Sequence, residues 1–241
     1  MFLTFEGIDG CGKTTQMQLL EARLEARGVE VVATREPGGT ALAESLRETL
    51  LHGGDIAARA ELLLFGAARA QHAREIIRPA LARGAHVLCD RFGDSSEAYQ
   101  GGGLGLDRAF IRAMNAFATE DLRPDRTFLI DIAPEIALKR RAGEKRDRIE
   151  ARGLDFIERV RTTYLEIAAR EATRFVVING APSVAAIEAR IARMLGLNVK
   201  HQQTGIGDER GLGPLPIFKS GENPIGRERK PRSPHTLFPK Q

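Results

Sequence analysis

Nine consecutive residues carry the clearest chemistry in the chain: Gly7, Ile8, Asp9, Gly10, Cys11, Gly12, Lys13, Thr14 and Thr15. They satisfy G-x-x-x-x-G-K-[ST], a pattern that has meaning between a strand and a helix. The run Met1-Phe2-Leu3-Thr4-Phe5 precedes it, and a helical pattern follows. The glycines let backbone N–H groups turn inward around phosphate oxygens, and a helix beginning near Lys13 aims its positive end at them. Lys13 adds a mobile cation and Thr14 a hydroxyl for Mg²⁺, so the expected ligand is a nucleoside triphosphate with its metal. Cys11 is read as a small loop filler rather than a reactive thiol.

A phosphate cradle does not say what becomes of the phosphate. No asparagine is followed by Lys, so the guanine-reading N-K-x-D of GTPases is missing, although Asp90-Arg91-Phe92-Gly93 fits D-x-x-G. ATPase motors usually end a strand with Asp-Glu, whereas Asp90 precedes Arg91 and Asp131 precedes Ile132. Without a hydrolytic base, transfer to a bound acceptor is expected. That requires a second phosphate site and a lid that excludes water.

Several segments fit the second requirement. Phe65, Arg69 and His72 lie at i, i+4 and i+7, so a helix presents them along one face. An aromatic ring there can stack on a base while a guanidinium donates to a base carbonyl. Taken alone, Phe65 reads as core and Arg69 as a surface charge, and His72 is left as a helix-surface or core residue. Asp90 ends the apolar run His86-Val87-Leu88-Cys89 and is expected at the carboxyl edge of a sheet, where ligands bind in open α/β folds. It could hold Mg²⁺ through water while Arg91 clamps an acceptor phosphate. A helix-capping Asp beside a solvated Arg is the alternative. Ser96, Tyr99 and Gln100 share the i, i+3, i+4 spacing of one helical turn, and Gly101-Gly102-Gly103 reads as a flexible connection. Between Lys139 and Arg148, six of ten residues are basic. Such a run is a solvated face or a lid whose arginine reaches the transferred phosphoryl group.

With Arg35-Glu36-Pro37-Gly38-Gly39-Thr40 added, these segments in this order resemble the thymidylate kinase family, the bacterial-type dTMP kinases among P-loop nucleoside monophosphate kinases. The resemblance covers about residues 1–196. It implies a kinase that phosphorylates dTMP with ATP and Mg²⁺, as a homodimer. It places residues 7–15 and Arg141 at ATP, Thr14 and Asp90 at the metal, and Glu36, Phe65, Arg69, Arg91, Ser96, Tyr99 and Gln100 at dTMP. Phe65 and Arg69 face thymine, and Tyr99 disfavours a ribose 2′-hydroxyl. Ser96 departs from the Thr or Asn often found at its position. Lys13, Arg91, Asp9 and a lid arginine are the expected catalytic set. Gly10 stands where some relatives carry arginine, so the lid, about residues 139–150, should supply that cation. Arg148, in Asp147-Arg148-Ile149-Glu150, best matches the family's lid pattern, with Arg141 and Arg146 as alternatives.

The positioning elements are legible as recurring βα units, the signature of a mostly parallel sheet. Strands are expected at 1–6, 29–34, 86–90, 126–132 and 175–179. Helices are expected at 13–27, 40–50, 57–83, 107–118, 134–142, 153–172 and 183–195. The result is a five-stranded parallel sheet flanked by helices, occupying residues 1–197. Residues 198–241 hold six of the eleven prolines and six of the 25 glycines and read as a disordered extension. They also carry eight Lys/Arg against four Asp/Glu, the whole net charge of +4. The neutral body argues against a nucleic-acid partner. No apolar run approaches the roughly 20 residues that span a bilayer, and two cysteines make no disulfide framework. A cytoplasmic, unsecreted protein is expected, with no membrane partner.

Overall fold

β1 (Phe2–Glu6) is buried along its whole length, including the polar Thr4 and Glu6. A strand with no wet face must lie inside a sheet covered on both sides. In the computed structural model, which describes residues 1–143 and 147–197, β1 is the middle strand of five. It is flanked by β3 (His86–Asp90) and β4 (Arg126–Asp131), with β2 (Val31–Arg35) beyond β3 and β5 (Phe175–Asn179) beyond β4. Every pairing is parallel, giving the order β2-β3-β1-β4-β5. The expected strands are all present. Residues 198–241 and Arg146, for which the sequence carries expectations, lie outside the described residues.

Alternation along the strands divides the core. Leu3, Phe5 and Leu88 enter a large apolar cluster with α1 (Lys13–Glu25), α8 (Leu154–Arg170) and α9 (Val184–Met194). Phe2, Val87 and Cys89 face the other way, toward Ile77, Ala80 and Phe92. Because β1 and β3 are neighbours in register, with Phe5 opposite Asp90, the loops that follow them emerge side by side. Arg91 N–H donates to the Phe5 carbonyl at 3.0 Å and fixes that juncture. Among the described residues, no helix is long and apolar enough to cross a membrane.

Two expectations change. The helix expected at 57–83 divides into α3 (Ala58–His72), a π-helical turn (Ala73–Ile77) and α4 (Arg78–Ala82). Pro79 has no N–H to donate and its ring crowds the carbonyl four residues back, at Glu75 inside the widened turn. The supposed flexible connection at Gly101-Gly102-Gly103 ends a second π-helical stretch (Glu97–Gly103) that continues from α5 (Gly93–Ser96) and packs on α8. A Cβ on Gly102 would lie 1.9 Å from the Thr163 hydroxyl, and one on Gly103 2.4 Å from the Phe156 ring. These glycines permit close packing, not flexibility. The remaining helices are α2 (Ala41–His52), α6 (Arg108–Thr119) and α7 (Pro134–Arg140).

Candidate active site

The loop from Gly7 to Gly12 joins β1 to α1, whose first residue is Lys13; Thr14 and Thr15 follow in its first turn. Ile8 and Cys11 are buried under the loop, and burial pushes the Cys11 thiol pKa up, as suits a filler. Gly10 has φ of +83°, and a Cβ there would meet the Ala137 carbonyl oxygen at 2.6 Å and the Arg141 side chain at 3.2 Å. The Arg141 stem therefore lies against the position that a side chain at residue 10 would leave.

Asp9 joins the cradle to the segment after β3. One of its oxygens accepts from Lys13 Nζ at 3.0 Å and from Arg91 Nη2 at 2.6 Å, and the other accepts from Tyr99 Oη at 3.3 Å. Burial opposes its charge, yet Arg91 and Lys13 together hold this carboxyl far below the usual carboxylate range. Arg91 itself has φ of +71°, a conformation that a non-glycine residue adopts only where its surroundings hold it. Next to it, Asp90 accepts the Thr14 hydroxyl on Oδ2, while its buried Oδ1 has no partner among the described residues.

A cavity of about 380 Å³ opens beside this cluster. It is lined by Asp9, Gly10, Lys13, Thr14 and Arg91 together with Glu36, Phe65, Arg69, Ser96, Tyr99 and Gln100. Arg69 is 1% exposed and is no surface charge. It donates to Glu36 at 2.8 Å, Ser96 Oγ at 3.0 Å, Asn115 Oδ1 at 2.6 Å and the Phe92 carbonyl at 3.3 Å. Of the five N–H donors an arginine carries, one on Nη2 is left without a partner among the described residues. His72 is fully buried, with Nδ1 3.1 Å from the other Glu36 oxygen and Nε2 2.7 Å from Thr34 Oγ1. Its place on the Phe65–Arg69 face serves to hold Glu36.

The lid arginines separate. Arg141 lines the cavity and pairs with Glu150. Arg148 is not among the described residues lining it. Its Nη2 donates to Glu61 at 2.6 Å and its Nε to the Leu50 carbonyl at 3.0 Å. Glu61, 0% exposed, also takes both terminal nitrogens of Arg152 and the amide of Gln100.

Arg47 lines the cavity and was missed from the sequence. A signal existed, since Arg47 shares the i, i+4, i+7 face of α2 with the buried Ala43 and Leu50. Glu61, four residues before Phe65, and Tyr164, between the buried Val160 and Ile167 of α8, carry the same spacing signal; Glu6, on a strand buried at every position, does not.

A model of the family described as Thymidylate kinase matches residues 5–191. The chain belongs to the thymidylate kinase family. A thymidylate kinase of Bifidobacterium longum (strain DJO10A) is 51% identical over 196 residues, covering 79% of this chain and 95% of that one. One from Pseudomonas syringae pv. tomato is 50% identical over 198 residues, covering 81% and 94%. The crystal structure of thymidylate kinase from Ehrlichia chaffeensis superposes with a TM-score of 0.67 at 40% identity, covering 81% of this chain and 98% of that one. Thymidylate kinase family membership thus spans the sheet, the cradle and the cavity described above.

Proposed function

We propose that this chain transfers the γ-phosphoryl group of ATP to dTMP, producing dTDP for dTTP synthesis. The observation that carries it is the continuity of the cavity. Asp9 and Arg91 sit where a triphosphate cradle meets a pocket walled by an aromatic ring and a buried, immobilised guanidinium. The acceptor phosphate is already an anionic nucleophile, so the work is alignment and charge neutralisation. Lys13 neutralises the donor phosphates, Arg91 spans donor and acceptor, and Asp9 holds both cations in place. Arg69 offers its remaining N–H to a thymine carbonyl beneath a stacked Phe65. Arg141, lying against Gly10, supplies the lid cation, and Arg148 anchors the lid to α3.

The orphaned Asp90 Oδ1 beside the Thr14 hydroxyl fits a hydrated Mg²⁺. When bound, that ion would neutralise phosphate charge, with Thr14 as direct ligand and Asp90 acting through water. Residues 1–197 contain every named group and form the catalytic unit; a chain ending at Leu197 should keep its kinetic constants. Exposed apolar side chains on the packed helices α3 and α6, Leu63, Phe110 and Phe117, provide a face for a homodimer, checked by sedimentation equilibrium. A cytoplasmic location accords with substrates that are free nucleotides. The deciding experiment is turnover with ATP across a panel of nucleoside monophosphates. Highest kcat/KM for dTMP is expected; preference for another monophosphate would overturn the substrate assignment.

A further inference from the structure

Glu6 is the last residue of β1, 0% exposed; it does not itself line the cavity but bonds Ser95, which does. Three donors converge on it. Phe92 N–H reaches Oε1 at 2.7 Å, and the hydroxyls of Ser95 and Tyr164 reach Oε2 at 2.6 and 2.8 Å. Those two hydroxyls also lie 2.7 Å from each other, so three oxygens form a closed triangle. Above about pH 7, where Glu6 is ionised, its carboxylate only accepts, and each hydroxyl has one hydrogen. Two hydrogens therefore serve three contacts, and both are consumed inside the triangle. Neither is left to point outward, and both hydroxyl oxygens turn lone pairs toward Arg91 Nη1, which stands 3.3 Å from Ser95 Oγ and 3.2 Å from Tyr164 Oη. Meanwhile Oε1 secures the Phe92 amide immediately after the residue whose φ is +71°.

We propose that Glu6 is a positioning residue for phosphoryl transfer, fixing the polarity of the Ser95 and Tyr164 hydroxyls so that they hold the Arg91 guanidinium toward the acceptor phosphate. The strand that ends in the donor cradle thereby also sets the aim of the acceptor-side cation. This rests on the kinase reading of the same site. Replacement by Gln keeps the size but brings amide hydrogens into the triangle. A hydroxyl hydrogen is then released toward Arg91, where a cation already donates.

The test compares wild type, Glu6→Gln, the double variant Ser95→Ala/Tyr164→Phe, and the triple combination. KM for dTMP, KM for ATP, kcat and thermal melting are measured for each at about pH 8.5, where Glu6 is ionised. Wild-type turnover with dTMP tests the substrate reading by itself; the ratios among variants test Glu6. Glu6→Gln should lower kcat/KM for dTMP by about tenfold or more while KM for ATP stays within about twofold. The double variant should lose a similar factor, and the triple no more than either, because all three changes break one chain of contacts. Multiplicative losses in the triple, equal losses for both nucleotides, or unchanged dTMP kinetics would overturn the proposal. If Glu6→Gln does not fold, the double variant alone decides: its dTMP-specific loss supports the chain of contacts, and wild-type kinetics refute it.

Discussion

Arg148 Nη2 lies 2.6 Å from the carboxylate of Glu61, a residue of α3 that is completely buried. The lid is thus pinned one helical turn from Phe65 by an ion pair that Arg152 and Gln100 share. Glu61→Ala strips two guanidinium groups and an amide of their acceptor and should cost about 3 kcal/mol of stability. Arg148→Ala should also act mainly on thermal stability. Arg141→Ala should instead lower kcat by about 100-fold or more with little change in melting, as expected for a cation at the transferred group. Stopped-assay kinetics paired with melting curves separate the two arginines. A kcat loss in Arg148→Ala as large as that in Arg141→Ala would return the catalytic role to Arg148.

Phe65 and Arg69 require different tests because their burial differs. Phe65 is partly buried against the core and faces the cavity. Phe65→Ala should weaken dTMP by roughly 1–3 kcal/mol, about five- to 150-fold in apparent affinity, and leave ATP affinity unchanged. Arg69 is the buried partner of Glu36, so Arg69→Ala leaves a carboxylate with His72 alone and should depress melting along with dTMP affinity. Titration of dTMP and ATP against both variants checks this. Undiminished dTMP affinity in Phe65→Ala would remove the base-stacking role.

Asp90→Asn should move the Mg²⁺ concentration giving half-maximal rate upward by about tenfold, since Oδ1 has no hydrogen-bond partner among the described residues. Thr14→Val should act in the same direction. Melting without metal should change little in either variant. A rate that keeps the wild-type Mg²⁺ dependence in both would dissociate this pair from the ion.

The pH dependence of stability follows from Glu6. Burial, then the charge of Asp94, raise its pKa from 4.5 to about 7, against the opposing effects of Arg91 and the Ser95 and Tyr164 hydrogen bonds. Between those values the folded protein retains a proton that the unfolded chain has released. Its contribution therefore favours folding at acid pH and declines as pH rises through about 7, by on the order of 3 kcal/mol in full. Glu6→Gln removes the titration. The difference in Tm between pH 5.5 and pH 8 should be smaller in Glu6→Gln than in wild type; an unchanged difference would show that Glu6 titrates at its ordinary value.

What the sequence determined by itself was local. The cradle is nine adjacent residues whose backbone geometry follows from glycines and a helix start. The parallel sheet follows from repeated βα units, and the Phe65–Arg69 face follows from helical spacing over a single segment. What tertiary structure decided is which distant groups share a proton or a charge. The family resemblance placed Arg148 in a lid, but its direction depends on Glu61, 87 residues away. His72 is without a role until Glu36 is packed against it. Gly102 looks flexible until Thr163 is found where its Cβ would be. Glu6 reads as one more strand residue, because the triangle it forms with Ser95 and Tyr164 joins positions up to 158 residues apart. Hydrogen-bond direction is a property of such closed sets of atoms, and no linear pattern encodes it; folding brings the set together, and only then is the aim of Arg91 defined.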